Sequence, residues 1–163
     1  MINKFMILVL SLLVLGRAWA EAPPNYPFIA FDEGLKQAKA QHKPIFLYFG
    51  RFGCAWCDEV NKKSFSDAAL RERYIKDFVL VYVDAESGKK LRLPSGERIT
   101  EANLGVRYKA FGTPMFLYLD EDGKELARIP GIQSVQDFQQ YDRYVSEGHY
   151  KTQTLGQFLK GGK

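Results

Sequence analysis

The stretch Ile45-Phe46-Leu47-Tyr48-Phe49-Gly50-Arg51-Phe52-Gly53-Cys54-Ala55-Trp56-Cys57-Asp58-Glu59 decides the fold. Its first five residues, opened by Pro44 and closed by Gly50, are aromatic or branched and read as a buried strand. From Ala55 to Ser64 there is no Gly or Pro, and the segment reads as a helix. The chain's two cysteines therefore stand where a strand hands over to a helix, Cys54 at the helix N-terminus and Cys57 one turn in. The positive end of a helix and its free backbone N–H groups favour a thiolate at Cys54. Cys57 lies three residues on, on the same face, within reach of a disulfide.

Blander readings compete with this one. A purely structural disulfide here would close too small a loop to remove much unfolded-state entropy. A zinc site needs about four ligands, and besides the cysteines the chain offers only His42 and His149, neither at finger-like spacing. Two inert buried cysteines stay open as a reading. The strand–helix context favours a redox-active pair.

Upstream, Met1-Ile2-Asn3-Lys4 carries a positive charge, Phe5 to Leu15 is a short apolar run, and Ala18-Trp19-Ala20 supplies small residues for a signal peptidase. Residues 1–20 read as a cleaved signal peptide; the apolar run falls short of the roughly 20 residues that span a bilayer. Export to the periplasm follows as an expectation. The net charge of +4 includes Lys4 and Arg17 from that segment, leaving too slight a balance to argue for nucleic acid or a membrane surface. With 46% apolar residues, among them 12 Phe and 9 Tyr, the remainder can bury a core as one domain without staples. A single cysteine pair in an exported chain thus points to reactivity more than to stability.

Residues 21–30, with Pro23, Pro24 and Pro27, read as an extended leader. Asp32 is expected to cap a helix to about His42, and Ser66-Asp67 one to Lys76. Phe78 to Val83 reads as a second strand, apolar throughout as in a sheet covered on both faces. Turn residues around Leu91-Arg92-Leu93 predict a projecting loop or hairpin at about 86–99, and Thr100-Glu101 a helix to Tyr108. Phe111-Gly112-Thr113-Pro114 precedes a third strand, Met115 to Leu119, with Pro114 where a strand tolerates one and where a cis bond would be a specific feature. Asp120-Glu121-Asp122-Gly123 turns into a fourth, Glu125 to Ile129. Ser134 caps a long helix in which Val135, Phe138, Tyr141, Tyr144 and Val145 recur at helical spacing, and Thr154 to Lys160 adds a short last one.

This order of parts resembles the thioredoxin fold over Phe31 to Leu159: an α/β domain at 31–160, with a central mixed sheet of four to five strands flanked by helices. The most specific marks are Cys54-Ala55-Trp56-Cys57 and Gly112-Thr113-Pro114. More closely, the chain is similar to the exported thioredoxin-related proteins of the SoxW type, in Arg51-Phe52-Gly53-Cys54, in the insert before Ile99-Thr100-Glu101, and in Tyr144 to Tyr150. Phe65-Ser66-Asp67 is similar to the C-terminal domain of the DsbD electron transporter.

The resemblance implies Cys54 as nucleophile, Cys57 as resolving thiol, Pro114 as the cis-proline against them, and the Thr113 backbone as the rail for a substrate strand. Trp56 adds apolar contact for partners, although a core Trp is the plainer alternative. The expected partners are protein disulfides, with a DsbD/CcdA-like membrane thiol transporter as donor. Neither a metal nor another cofactor is implied, and a monomer is expected. The chain departs from the family at Tyr48, where many thioredoxins bury an Asp; Tyr48, Asp58, Glu59 or a water then takes the proton. Ala55-Trp56 lacks the His of oxidising relatives, and Asp58 and Glu59 in the first helical turn oppose a thiolate. Both lean towards a reductant. A disulfide-forming oxidant and a non-catalytic binding module or holdase are the alternatives.

Overall fold

The computed structural model describes residues 22–161; the expected signal peptide and its cleavage site lie outside them. Strand β1 (Ile45–Gly50) is the centre of the molecule, buried at every position. Its two faces are both apolar, one aromatic and the other aliphatic apart from Phe49. Phe46 and Tyr48 point to one face, Ile45, Leu47 and Phe49 to the other, and each set joins a separate core. Both faces of such a strand have to be covered, which sets the layer order.

Beside β1 runs β2 (Val79–Asp84), parallel, in register from Ile45 with Val79 to Gly50 with Asp84. On its other side lies β5 (Met115–Leu119), antiparallel, followed by β6 (Glu125–Pro130). The sheet order is β2-β1-β5-β6, a mixed four-stranded sheet. One face carries an aromatic core: Phe46, Tyr48, Phe116 and Tyr118 meet Phe65, Tyr74 and Phe138. It is closed by α2 (Ala55–Lys63), α3 (Ala68–Asp77) and α5 (Val135–Ser146). The other face is mostly aliphatic and is closed by α1 (Phe31–Gln41) and α4 (Glu101–Arg107). A last helix, α6 (Leu155–Gly161), lays Phe158 against Tyr144.

Local signals account for most helix starts. Asp67 accepts the Leu70 N–H at 2.7 Å, Thr100 the Asn103 N–H at 3.1 Å, and Ser134 with Asp137 forms a capping box. Asp32 is a correction. Helix α1 begins at Phe31 after an uncapped Ala30, and Asp32 instead accepts the backbone N–H of Arg92 at 3.2 Å. Gly34 on α1 lets that helix lie against β2, since an added Cβ would collide with the Val81 side chain.

The segment before α1 is not simply extended. It turns at Asn25 (φ 66°), buries Tyr26 against Phe65, and then pairs Ile29 with the outer edge of β2. Ile29 donates to the Leu80 carbonyl at 3.0 Å and accepts from the Tyr82 N–H at 3.2 Å. The 86–99 insert is a hairpin, β3 (Lys90–Arg92) with β4 (Arg98–Thr100). It packs down rather than projecting free, because Leu91, Leu93 and Ile99 are buried in the aliphatic core. Among the described residues no helix is long and apolar enough to cross a membrane.

Candidate active site

The two cysteines sit just past the carboxyl end of β1, where the sheet's parallel pair ends. Gly53, with φ 67°, makes the left-handed turn that brings the chain from the strand into α2. Cys54 is the N-cap of that helix, and its Sγ accepts the backbone N–H of Cys57 at 3.1 Å. A sulfur thus takes the place that Ser or Asp fills at other helix starts, so the partial positive charge of the helix end falls on Cys54. Cys54 and Cys57 are joined as a disulfide, with Cα atoms 5.2 Å apart. Each is 5% exposed.

The second half of the site comes from the other side of the sheet centre. The Thr113–Pro114 bond is cis and leads directly into β5. The Thr113 hydroxyl donates to Cys54 Sγ at 3.3 Å. Two donors therefore converge on one sulfur, one from the helix and one from the loop before β5. Only the Thr113 backbone was expected to take part. That its side chain reaches Cys54 was hidden in the sequence, because residues 59 positions apart become neighbours only through the β1–β5 pairing.

Around the pair the surface is aromatic. Trp56 is 62% exposed, on the rim rather than in the core. Phe52 and Phe111 are exposed as well, Phe111 at 80%. Their position was visible as a large apolar residue beside a loop glycine in each half of the site, Phe52-Gly53 and Phe111-Gly112. Burying such side chains is favourable, so their exposure together leaves apolar surface beside the cysteine pair.

Beneath the cysteines, Tyr48 fills the position where many thioredoxins place an Asp. It is fully buried, and its hydroxyl donates to Asn61 Oδ1 at 3.2 Å. Burial, with Tyr82 and Asp58 nearby, holds its phenol far above the usual tyrosine range. Burial thus favours the protonated phenol at Tyr48. Asn61 lies four residues after Cys57 on α2, a spacing that could have flagged it. Glu59 is drawn away from Cys54 by Lys63, 2.7 Å from it, and only Asp58 of the two acids lies in the first turn. The histidines stand elsewhere, His42 against Glu121 and His149 against Glu147. Among the described residues, no cluster of three or more His, Cys, Asp or Glu could hold a metal ion.

Comparison with known proteins agrees with this geometry. The family model for the thioredoxin-like domain matches residues 31–146. Disulfide bond reductase DsbH of Chlamydia pneumoniae is 31% identical over 112 residues, 66% of this chain and 64% of that protein. Thiol:disulfide interchange protein DsbD of Ralstonia nicotianae is 26% identical over 132 residues, 75% of this chain but 20% of its own length. The chain thus spans less than two thirds of either relative. A thioredoxin-fold protein from Helicobacter pylori superposes with a TM-score of 0.67 at 23% identity, covering 74% of this chain and 82% of that one. With strand order, paired cysteines and family match in agreement, the chain belongs to the thioredoxin-like domain family.

Proposed function

We propose that the chain is an exported thiol–disulfide oxidoreductase that reduces protein disulfides in the periplasm. The observation that carries the thiol–disulfide chemistry is the convergence of the Cys57 N–H and the Thr113 hydroxyl on Cys54 Sγ; the reducing direction is supported by Asp58 in the first turn of α2 and by the likeness to a disulfide bond reductase. The same donors stabilise that sulfur as an attacking or leaving thiolate. In the reduced protein the Cys54 thiolate attacks one sulfur of a partner disulfide. The partner's other sulfur leaves as a thiolate and takes a proton. The Cys57 thiol then gives up its proton and attacks Cys54 Sγ, which releases the partner's second thiol and closes the Cys54–Cys57 disulfide. Two electrons pass to the partner together with the Cys57 proton and one proton from solvent, and the sulfurs carry both electrons without a bound cofactor.

Cys54 is nearly enclosed, so a partner sulfur reaches it on an extended segment laid along the Thr113 backbone, with Trp56 as an apolar contact. With Tyr48 holding its proton and Glu59 tied to Lys63, Asp58 or a water accepts the Cys57 proton. The likeness to DsbD supports a membrane thiol transporter as donor. The SoxW-type resemblance supports partners in sulfur-compound oxidation.

The opposite direction, a disulfide-forming oxidant, has one observation in its favour: two donors on Cys54 stabilise its thiolate and hence the reduced state. Asp58 opposes them. Two measurements decide. Cys57→Ser in the periplasm should accumulate mixed disulfides between Cys54 and its partners; their absence would leave a binding module. A reduction potential near or below about −200 mV is expected of the reductant, and one near about −120 mV would make the protein an oxidant.

A further inference from the structure

The hairpin β3–β4 carries cations that the fold does not use. Lys89 is committed to the buried Glu101, 3.3 Å away, and Arg107 to Glu97 at the hairpin tip. Lys90, Arg92 and Arg98 remain, all exposed and none within ion-pair distance of a carboxylate among the described residues. Asp32 accepts the backbone N–H groups of Arg92 and Glu33. Arg92 and Arg98 are direct cross-strand partners, and the adjacent pair, Leu91 and Ile99, is buried in the core. Like charges placed directly opposite destabilise a strand pair, and these strands have three residues each. The fold would be better served by a Glu at either position. Beside the pair runs a groove of about 590 Å³ lined by Lys90, Arg98, Ile99, Thr100, Asn103 and the exposed Val106 of α4, together with the Glu97–Arg107 ion pair.

This unit is joined to the redox site at both ends. At its entry, Ala85 donates to the Gly50 carbonyl at 2.8 Å, and Glu86 stands 3.7 Å from Arg51. At its exit, the chain leaves α4 at Arg107 and runs through Lys109 and Phe111 to Thr113. The hairpin is thus connected through the chain to both halves of the site.

We propose that the face formed by Lys90, Arg92, Arg98 and the Val106 groove docks an acidic segment of the disulfide-bearing partner and so selects the substrate. The proposal rests on the oxidoreductase reading for its consequence and not for its binding. Three cations without a carboxylate partner among the described residues, beside a groove that offers Ile99 and Val106, match a short acidic peptide with an apolar side chain; the small net charge of the chain gives no broad field for a polyanion.

The test uses two disulfide-bridged peptides of one sequence, one flanked by glutamates and one by Gly-Ser. At low salt the wild type should reduce the acidic peptide with a kcat/KM about five- to tenfold higher, and the preference should vanish in R92Q/R98Q and at high salt. R92K/R98K should keep it. Because R92Q/R98Q removes opposed charges, it should melt no lower than the wild type and reduce the neutral peptide equally well. Equal treatment of both peptides by the wild type overturns the proposal. A cysteine-free acidic peptide is titrated by fluorescence anisotropy in parallel, so that the face is judged even if neither peptide is reduced. Tighter binding to the wild type than to R92Q/R98Q supports docking, and equal binding refutes it. Charge-dependent binding to phosphatidylglycerol vesicles without any peptide preference would also overturn it, in favour of a membrane contact.

Discussion

Asp142 on α5 offers a quantitative check on how the helices close the aromatic face. Its side chain is 1% exposed, paired through Oδ2 with Arg73 Nη1 at 3.1 Å, while Oδ1 has no hydrogen-bond partner. Burial, and then the neighbouring Asp77, push its carboxyl from the ordinary 3.8 up to about 6; Arg73 and Ser146 pull the other way and lose. The folded state thus holds this proton more tightly than the unfolded chain does. The resulting stabilisation is fully present below about pH 3.8 and is lost as the pH rises through about 6. A shift of about two units corresponds to about 3 kcal/mol. In D142N the group no longer titrates, and Arg73, nearly half exposed, stays hydrated. The unfolding free energy of D142N minus that of the wild type should therefore climb by about 3 kcal/mol between about pH 3.5 and pH 7. Urea unfolding of the oxidised protein at half-unit steps of pH measures this, with unchanged m-values as the control. Contributions from Glu97 and Glu147, both lowered by their partners and both exposed, are common to the two proteins and cancel. A flat difference curve would mean that Asp142 titrates as an ordinary surface acid, and the reasoning from burial would fail.

Two other outcomes are expected. Tyr74 donates to the Phe138 carbonyl at 2.9 Å and shares a 2.6 Å bond with Tyr118, both hydroxyls being fully buried. Y74F leaves the Tyr118 hydroxyl stranded and should cost about 1–3 kcal/mol, whereas Y118F leaves Tyr74 a partner and should cost about 1 kcal/mol; equal losses in thermal or urea unfolding would contradict this network. Asp58, exposed in the first turn of α2, should oppose the Cys54 thiolate. D58N is expected to raise the reduction potential by about 10–20 mV at low salt, and by less at high salt; an unchanged or lower potential measured in thiol buffers would remove Asp58 from the account of direction.

How far the sequence carries can be seen element by element. The run Ile45 to Phe49 and the helix after Cys54 were readable because strand and helix signals are local and the apolar run is too short for anything but a strand. Thr100 and Ser134 were readable as caps for the same reason. Asp32 was misread since a carboxylate beside a helix start can also satisfy a backbone group far along the chain, here Arg92. The hairpin was legible as turns, but its packing followed from Leu91, Leu93 and Ile99, whose burial depends on α1 and α4 arriving beneath them. At the site, the cysteine spacing carried the chemistry. The Thr113 hydroxyl, the Tyr48–Asn61 bond and the diversion of Glu59 to Lys63 are tertiary or rotameric facts, which no periodicity encodes.

The pairing of Ile29 with β2 bears on how the edges of the sheet are closed. An open sheet has two margins, and an uncovered margin is a template on which another chain can add a strand. Here one margin is occupied by Ile29, which takes the Leu80 carbonyl and the Tyr82 N–H. The other, β6, ends at Pro130, which has no N–H to offer, and carries the Glu125–Arg128 ion pair. A chain trimmed to the family-matching residues 31–146 would keep every strand of the sheet yet bare the apolar flank of Leu80 to Tyr82. Such a fragment should fold and then self-associate, so the few residues ahead of α1 act as a guard against aggregation.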